Sequence, residues 1–561
     1  MTSQASTLAP AHEHLDALGS EKGLKAFLAQ FPAADPLRTV KVLGEVFEKA
    51  AVLNIPADKL RHALKHLDEH AQEFVNAVWD HLFDSKDLRT ISDSPWLVLA
   101  RYYRFVHAGY RFCLDALPDR DRLKDTERAE AVLLACRAMA ALGRHKTVLK
   151  LRLRDPQPAY WEQMNSLAAW SSQFGGSDTV LELYPASGYQ SSTEREHLIA
   201  LVLEVAPVGN MLPNLIVALD LTLRRFAQTF HFSGQFRDET PFVAYTTKPQ
   251  GPERWLNGLA PRPGQRFFGI GAAYDSLAEL LNEARIVSQV PEWLAASRME
   301  AAHYRRLLEL LAVHWSTKPP RRRSQRERRD GEILVTHGIQ RVRRMIGASE
   351  FAKSGRQLNY DDHHLNDLKV FGKFDSGSDD TQSLTGKDRL LSPMQVLQRL
   401  ERSHEMPEQW AIADASENGL GIIASGHGGW TRVGMIVGYR LTDSLDCRIG
   451  FLSRLSSAAN GKLSIGLRLF PGEVRGARVN FGALDASDAW ATGEENSKNM
   501  HSAILLLTRG SPSVLLEPHV FSTTGECMLS FERRWRKVRL QRIVKRGFDY
   551  EEIELGMPLA A

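Results

Sequence analysis

Trp410-Ala411-Ile412-Ala413-Asp414-Ala415-Ser416-Glu417-Asn418-Gly419-Leu420-Gly421-Ile422-Ile423 decides how the second half of the chain is read. A strand ending at Ala413 runs into a D-x-S-x-x-G turn, and a second apolar run follows at once, which makes a hairpin. Asp414 and Ser416 offer acceptors and a hydroxyl, and Gly419 lets a ligand come close to the backbone. By itself this is also a common turn composition. Around it the period is two. Val433, Met435, Val437, Tyr439 and Leu441 alternate with their neighbours, and so do Leu463, Ile465, Leu467 and Leu469. Shorter strands are expected at 332–337, 410–414, 419–424, 446–452 and 475–481. Short strands joined by Gly-bearing turns predict a small closed barrel or sandwich. Beyond 500, runs at 503–507, 514–517, 528–531, 538–543 and 548–555 predict a second small β-domain.

Upstream of about residue 315 the period changes. Leu60, Leu64, Leu67, Ala71, Phe74 and Val78 form a stripe along one helix face. Leu24, Phe27, Leu28 and Phe31 form another that Pro32 stops, and Asp35-Pro36 opens the next helix with Asp as N-cap and Pro in the first turn. Stripes recur at 95–117, 128–151, 159–173, 195–206 and 212–230, with two more within 276–315. The stretch 175–194 reads as a loop and 237–266 as an irregular Pro- and Gly-rich connection. The expected fold class is therefore α + β multidomain. Helical regions at 1–155 and 156–315 precede a small β-barrel at 316–480 and a small C-terminal β-domain at 481–561. Within the barrel region, 361–388 reads as an inserted acidic loop, rich in Asp, Ser and Gly with little to bury.

Lys+Arg exceeds Asp+Glu by only 71 − 67 = 4 over 561 residues, so no global excess marks a coat for nucleic acid or membrane and charge is read locally. The four cysteines are scattered without a CxxC pair, which fits a reducing cytoplasm. The first thirty residues show no secretory h-region, and no run of eighteen apolar residues exists, so neither a leader nor a membrane-spanning helix is expected.

Candidates for chemistry are few. His62, His66 and His70 share a helix face at four-residue spacing, as a zinc site would want, but no HExxH glutamate accompanies them and they lie opposite the apolar stripe; a solvated face is expected. His363-His364 beside Asp361-Asp362 diverge in an acidic loop. Gly269-Ile270-Gly271 lacks the third glycine and the βαβ setting of a dinucleotide fingerprint, and reads as a turn or helix start. No P-loop, GxSxG elbow or Cys/His pairing is present. The expectation is no enzyme, no catalytic residue, no metal and no cofactor.

The strongest local anomaly is Lys318-Pro319-Pro320-Arg321-Arg322-Arg323-Ser324-Gln325-Arg326-Glu327-Arg328-Arg329, with seven cations and one acid. It reads as a solvated linker or as a phosphate-neutralising arm. No aromatics interleave, against a base-stacking platform. Its R-x-x-x-R, Arg322 and Arg326, together with the downstream D-x-S-x-x-G of Asp414, Ser416 and Gly419 on a small β-barrel, resembles the PilZ domain. That resemblance covers roughly 318–475. It implies a PilZ-like barrel that binds the bacterial second messenger cyclic di-GMP. Arg322 and Arg326 would fold over the ligand from the segment leading into the barrel, while Asp414, Ser416 and Gly419 meet it from the barrel surface. Arg321 and Arg323 are additional candidates. The chemistry is coherent, because arginine can clamp a phosphate bidentately, pair with the guanine O6/N7 edge and stack on a base. The implied protein is a cytoplasmic, non-enzymatic receptor whose signal passes to a protein partner through the helical half, with neither nucleic acid nor membrane as expected partner. The rival readings are a nucleic-acid-binding regulator using 318–329 and a helical scaffold that binds no ligand.

Overall fold

The computed structural model describes residues 18–32, 34–83, 91–118, 122–255, 262–287, 289–316, 326–355, 391–402, 406–425, 430–457, 462–481, 499–508, 512–521, 525–531 and 534–556. The chain divides into two compact units, Met1–Arg321 and Arg322–Ala561.

The first unit is built from α1 (Glu21–Leu28), α2 (Pro36–Glu48), α3 (Ala57–Asp80), α4 (Asp93–Asp115), α5 (Asp125–Lys150), α6 (Tyr160–Gln173), α7 (Thr193–Val205), α8 (Pro213–Phe226), α9 (Ala273–Ile286) and α10 (Ala301–Trp315). The Asp35 side chain accepts from Arg38 N at 3.1 Å with Pro36 in the first turn, as its sequence demands. The stripe on α3 is buried at Leu60, Leu64, Leu67, Ala71, Phe74 and Val78. One hydrophobic core runs from Leu18 to Trp315. The division expected near 155 does not appear as a break in that core, because α5 reaches across it. Lys146 Nζ donates to Ala200 O at 3.1 Å, and Thr147 Oγ1 donates to Asp220 Oδ1 at 2.9 Å.

Two stretches read as irregular carry short strands. Within 175–194, β1 (Leu181–Tyr184) pairs with β2 (Tyr189–Ser191). Around 237–266, β3 (His231–Ser233), β4 (Phe242–Tyr245), β5 (Glu253–Arg254) and β6 (Gln265–Gly269) form a four-stranded sheet in the order β3-β6-β4-β5. Strands of two to five residues are too short to show a period of two. Gly269-Ile270-Gly271 ends β6 and leads into α9, so it is a helix start.

The helical core also holds a polar cage that no motif announced. Asp68 is fully buried, and three tyrosine hydroxyls donate to it: Tyr102 at 2.8 Å, Tyr110 at 2.7 Å and Tyr184 at 2.9 Å. Gln72 Nε2 adds a fourth bond at 2.9 Å. Burial and the Asp68 charge push all three phenols well above their ordinary range, so they remain donors. Beside them Arg137 donates to Glu69 at 2.7 Å and to Leu183 O at 2.8 Å.

The second unit holds two β-barrels. β7 (Glu327–Arg328), β8 (Glu332–His337), β9 (Glu408–Ser416), β10 (Gly419–Ala424), β11 (Ile436–Leu441), β12 (Arg448–Ser457) and β13 (Leu463–Leu469) form the first sheet. The β9–β10 pairing closes six of these strands into a ring, β8-β9-β10-β13-β12-β11, with β7 beside β9. Between β8 and β9 lie α11 (Ile339–Lys353) and α12 (Pro393–Arg402). They pack on each other through Phe351, Ala352, Val396, Leu397 and Leu400. Arg440 on β11 ties α12 down with a bidentate pair to Glu401, at 2.8 and 2.6 Å.

The second barrel closes in the order β14-β15-β16-β19-β18-β17, from β14 (Glu473–Asn480), β15 (Met500–Leu507), β16 (Ser513–Leu516), β17 (Gly525–Phe531), β18 (Arg534–Arg546) and β19 (Glu551–Leu555). Sequence placed 473–480 in the first β-region. Its ladder partners are β15 and β17, so the second barrel begins at Glu473 rather than 481. Alternation along a strand says which residues face inward but not which strand is the neighbour. The expected acidic loop 361–388, including His363 and His364, lies outside the described residues.

Candidate functional site on the first barrel

The β9–β10 hairpin places the D-x-S-x-x-G residues through a defect in its register. Ile412 opposes Ile422, but the next pair is Asp414 with Gly421, so Ala413 is the extra residue of a β-bulge. Trp410 and Ile412 point into the barrel and are 2% and 6% exposed. Strict alternation would send Asp414 inward with them. The bulge turns it outward, onto the face opposite Ile422, and Ser416 follows opposite Gly419. Ser416 Oγ donates to Gly419 O at 3.3 Å and closes the turn.

The basic segment arrives on the other edge of β9. In the β7–β9 pairing Glu327 opposes Ala415 and Arg328 opposes Asp414, so one step back along that register Arg326 comes level with Ser416. Arg326 Nη1 donates to Asp414 Oδ1 at 2.7 Å, joining two motifs 88 residues apart in sequence. Arg326 is 28% exposed and Asp414 32%, a half-covered pair open to a ligand. Arg321, Arg322 and Arg323 lie outside the described residues. The structure thus brings together Arg326, Asp414, Ser416 and Gly419.

The same cross-strand rows name residues that the motifs did not. Asp414 opposes Gly421, and Gly421 opposes Gly466 on β13, which opposes Arg454 on β12. One row along, Ser416, Gly419 and Arg468 are neighbours. Cross-strand partners share a face. Gly421 and Gly466 are therefore adjacent on the outward-facing side, flanked by Asp414 and Arg454 with Arg328 and Arg468 nearby, and both are buried, Gly421 beneath the Asp414 carboxylate. Gly421 is needed for space. A Cβ there would lie 2.4 Å from Asp414 Oδ1. A glycine within a strand is itself a sign of close approach, but the register is needed to say to what. Around the Asp414 carboxylate this face gathers guanidiniums that can bind phosphate oxygens or a guanine edge.

Elsewhere the candidates stay bland. His62 and His66 stack edge to face at 4.4 Å, His66 lies 3.5 Å from Glu69, and no group of three or more metal-binding side chains occurs among the described residues. No helix among them is long and apolar enough to cross a membrane.

Residues 22–238 match the family described as cyclic-di-GMP receptor FimW, N-terminal domain. The match covers less than half of the chain and lies wholly within the helical unit. This part of the chain is thus similar to the N-terminal domain of a cyclic di-GMP receptor. No curated protein matches the chain.

Proposed function

We propose that this chain is a cytoplasmic cyclic di-GMP receptor. It binds the ligand on a PilZ-like first barrel through Arg322 and Arg326 of the R-x-x-x-R segment and through Asp414, Ser416 and Gly419. The observation that carries the reading is the Arg326–Asp414 contact at 2.7 Å, which unites the two motifs on one outward face. The likeness of residues 22–238 to a cyclic di-GMP receptor domain supports it independently, because it involves none of those residues. In this reading Arg326, Arg328 and Arg468 hold phosphate. The protein has no catalytic role and needs no cofactor. The helical half passes the signal to a protein partner.

Calorimetric titration of the full chain with cyclic di-GMP, run beside a nucleic-acid mobility-shift assay, tests this. Saturable heat with cyclic di-GMP and no shift is expected. A shift with no nucleotide binding assigns the basic segment to nucleic acid instead.

A further inference from the structure

A second group of arginines sits against the other barrel and includes none of the residues assigned above. On β14, Ala477 and Val479 belong to the interior of the second barrel, so Arg478 between them faces outward. Its ladder partners are Ser502 on β15 and Ser530 on β17, which place two hydroxyl-bearing residues on the same face. Helix α11 lies over this face, packing Ile339, Val342 and Ile346 against Ile504 and Leu506 of β15. It delivers Arg343, whose Nε donates to Ser502 Oγ at 3.2 Å. Gly476 gives the helix room, since a Cβ there would meet the Arg343 carbonyl at 3.3 Å.

Arg343 is 7% exposed, yet Ser502 is its hydrogen-bond partner and no carboxylate pairs with it among the described residues. Among the described residues Arg478 makes a single weak contact, Nη1 to Met500 Sδ at 3.8 Å. Burial, and after it the charges of Arg478 and Arg344, push the Arg343 guanidinium down to about 9. Arg343 and Arg478, covered and held together against their own repulsion with forks unused among the described residues, are costly unless an anion completes them. A carboxylate monoanion would leave one of the two charges uncompensated, whereas a phosphate dianion presents enough oxygens for both guanidiniums and a hydroxyl.

We propose that Arg343 and Arg478, with Ser502, form an oxyanion site for a phosphate group on the outer face of the second barrel. The site is independent of the cyclic di-GMP reading. The phosphate comes from free inorganic phosphate or from a nucleotide, and the test separates the two.

The full chain is titrated with inorganic phosphate in chloride buffer of matched ionic strength, by calorimetry and by thermal unfolding. Saturable binding and a rise in Tm are expected. Arg478→Gln should weaken phosphate binding by about tenfold, the equivalent of one charge-assisted contact, and should not lower Tm in phosphate-free buffer, because a repelling cation has gone. Ser502→Ala should weaken binding less, and Arg326→Ala should leave it unchanged. Cyclic di-GMP binding to Arg326→Ala that disappears on adding Arg478→Gln assigns the phosphate to the nucleotide; phosphate binding without it assigns free phosphate. The proposal is overturned if neither probe binds beyond the chloride control. It is equally overturned if Arg478→Gln lowers Tm alike in both buffers with phosphate affinity intact.

Discussion

Asp414 belongs to the candidate site because one extra residue, Ala413, turns it out of the barrel, and because Gly421 leaves space for its carboxylate. Removing either partner of the Arg326–Asp414 pair should cost little stability, below about 1 kcal/mol for an ion pair this open to water. The effect on cyclic di-GMP should be larger. Arg326→Ala or Asp414→Ala should lose about 1.5–3 kcal/mol of binding, and Arg326→Lys should not restore it, since lysine lacks the planar fork. Normal affinity in the lysine variant would count against a bidentate or stacking role. Gly421→Ala carries a sharper expectation. Its methyl group displaces the Asp414 carboxylate, so affinity should fall as in Asp414→Ala while Tm stays near wild type; unchanged affinity would show that Asp414 does not need its present position. In the other unit, Asp68→Ala strands three buried hydroxyls and an adjacent Arg137, and should destabilise the helical transition by about 3–5 kcal/mol in denaturant titration. A loss under about 1 kcal/mol would mean water replaces the carboxylate. At this scale the motif residues were legible and their neighbours were not. D-x-S-x-x-G is contiguous, whereas Gly421, Gly466, Arg454 and Arg468 meet only through strand pairing. Nothing local in the sequence marks Asp68, because its three tyrosines lie 34, 42 and 116 residues away.

Among the elements, strong periodicity was readable and short or mixed segments were not. The helices of the first half fall close to their stripes, and the hairpin 408–424 falls where the turn chemistry put it. Helix α11 was not among the expected elements, although Ile339, Val342 and Ile346 repeat at three and four residues, because only two turns of that stripe show between strand-like segments. Its packing on α12 now bears on the segment between them. Because Phe351, Ala352, Val396, Leu397 and Leu400 hold the two helices together at the segment's ends, replacing 361–388 by a short Gly/Ser linker should leave Tm nearly unchanged, as loop-closure entropy varies slowly with length. Unfolding or aggregation of that variant would show the acidic segment to be part of the core.

At the scale of the whole molecule, acid should act on the helical unit. Burial pushes His107, His145 and His314 down to about 4 and His197 to about 3, all of them within 1–321. A histidine with a depressed folded pKa is held neutral, while the unfolded chain binds its proton near the ordinary value of about 6.5. Their stabilising effect is therefore complete above about pH 6.5 and is lost as pH falls toward 4. Glu204 and Asp220, held low by Lys146 and Arg144 against their own burial, extend the loss further into acid. Calorimetric scans should show the helical transition moving down between pH 6.5 and 4; a constant Tm over that range would mean the buried imidazoles titrate normally.

The claim that joins these scales is that cyclic di-GMP sits on the outer face of the first barrel. Amide hydrogen exchange on the full chain, with and without cyclic di-GMP, tests it most directly. The account predicts slowed exchange in β7 and in the turn at Glu417-Asn418, with smaller effects around Gly466 to Arg468. Protection confined to the helical residues 22–238, with β7 and the hairpin turn exchanging as before, would contradict it.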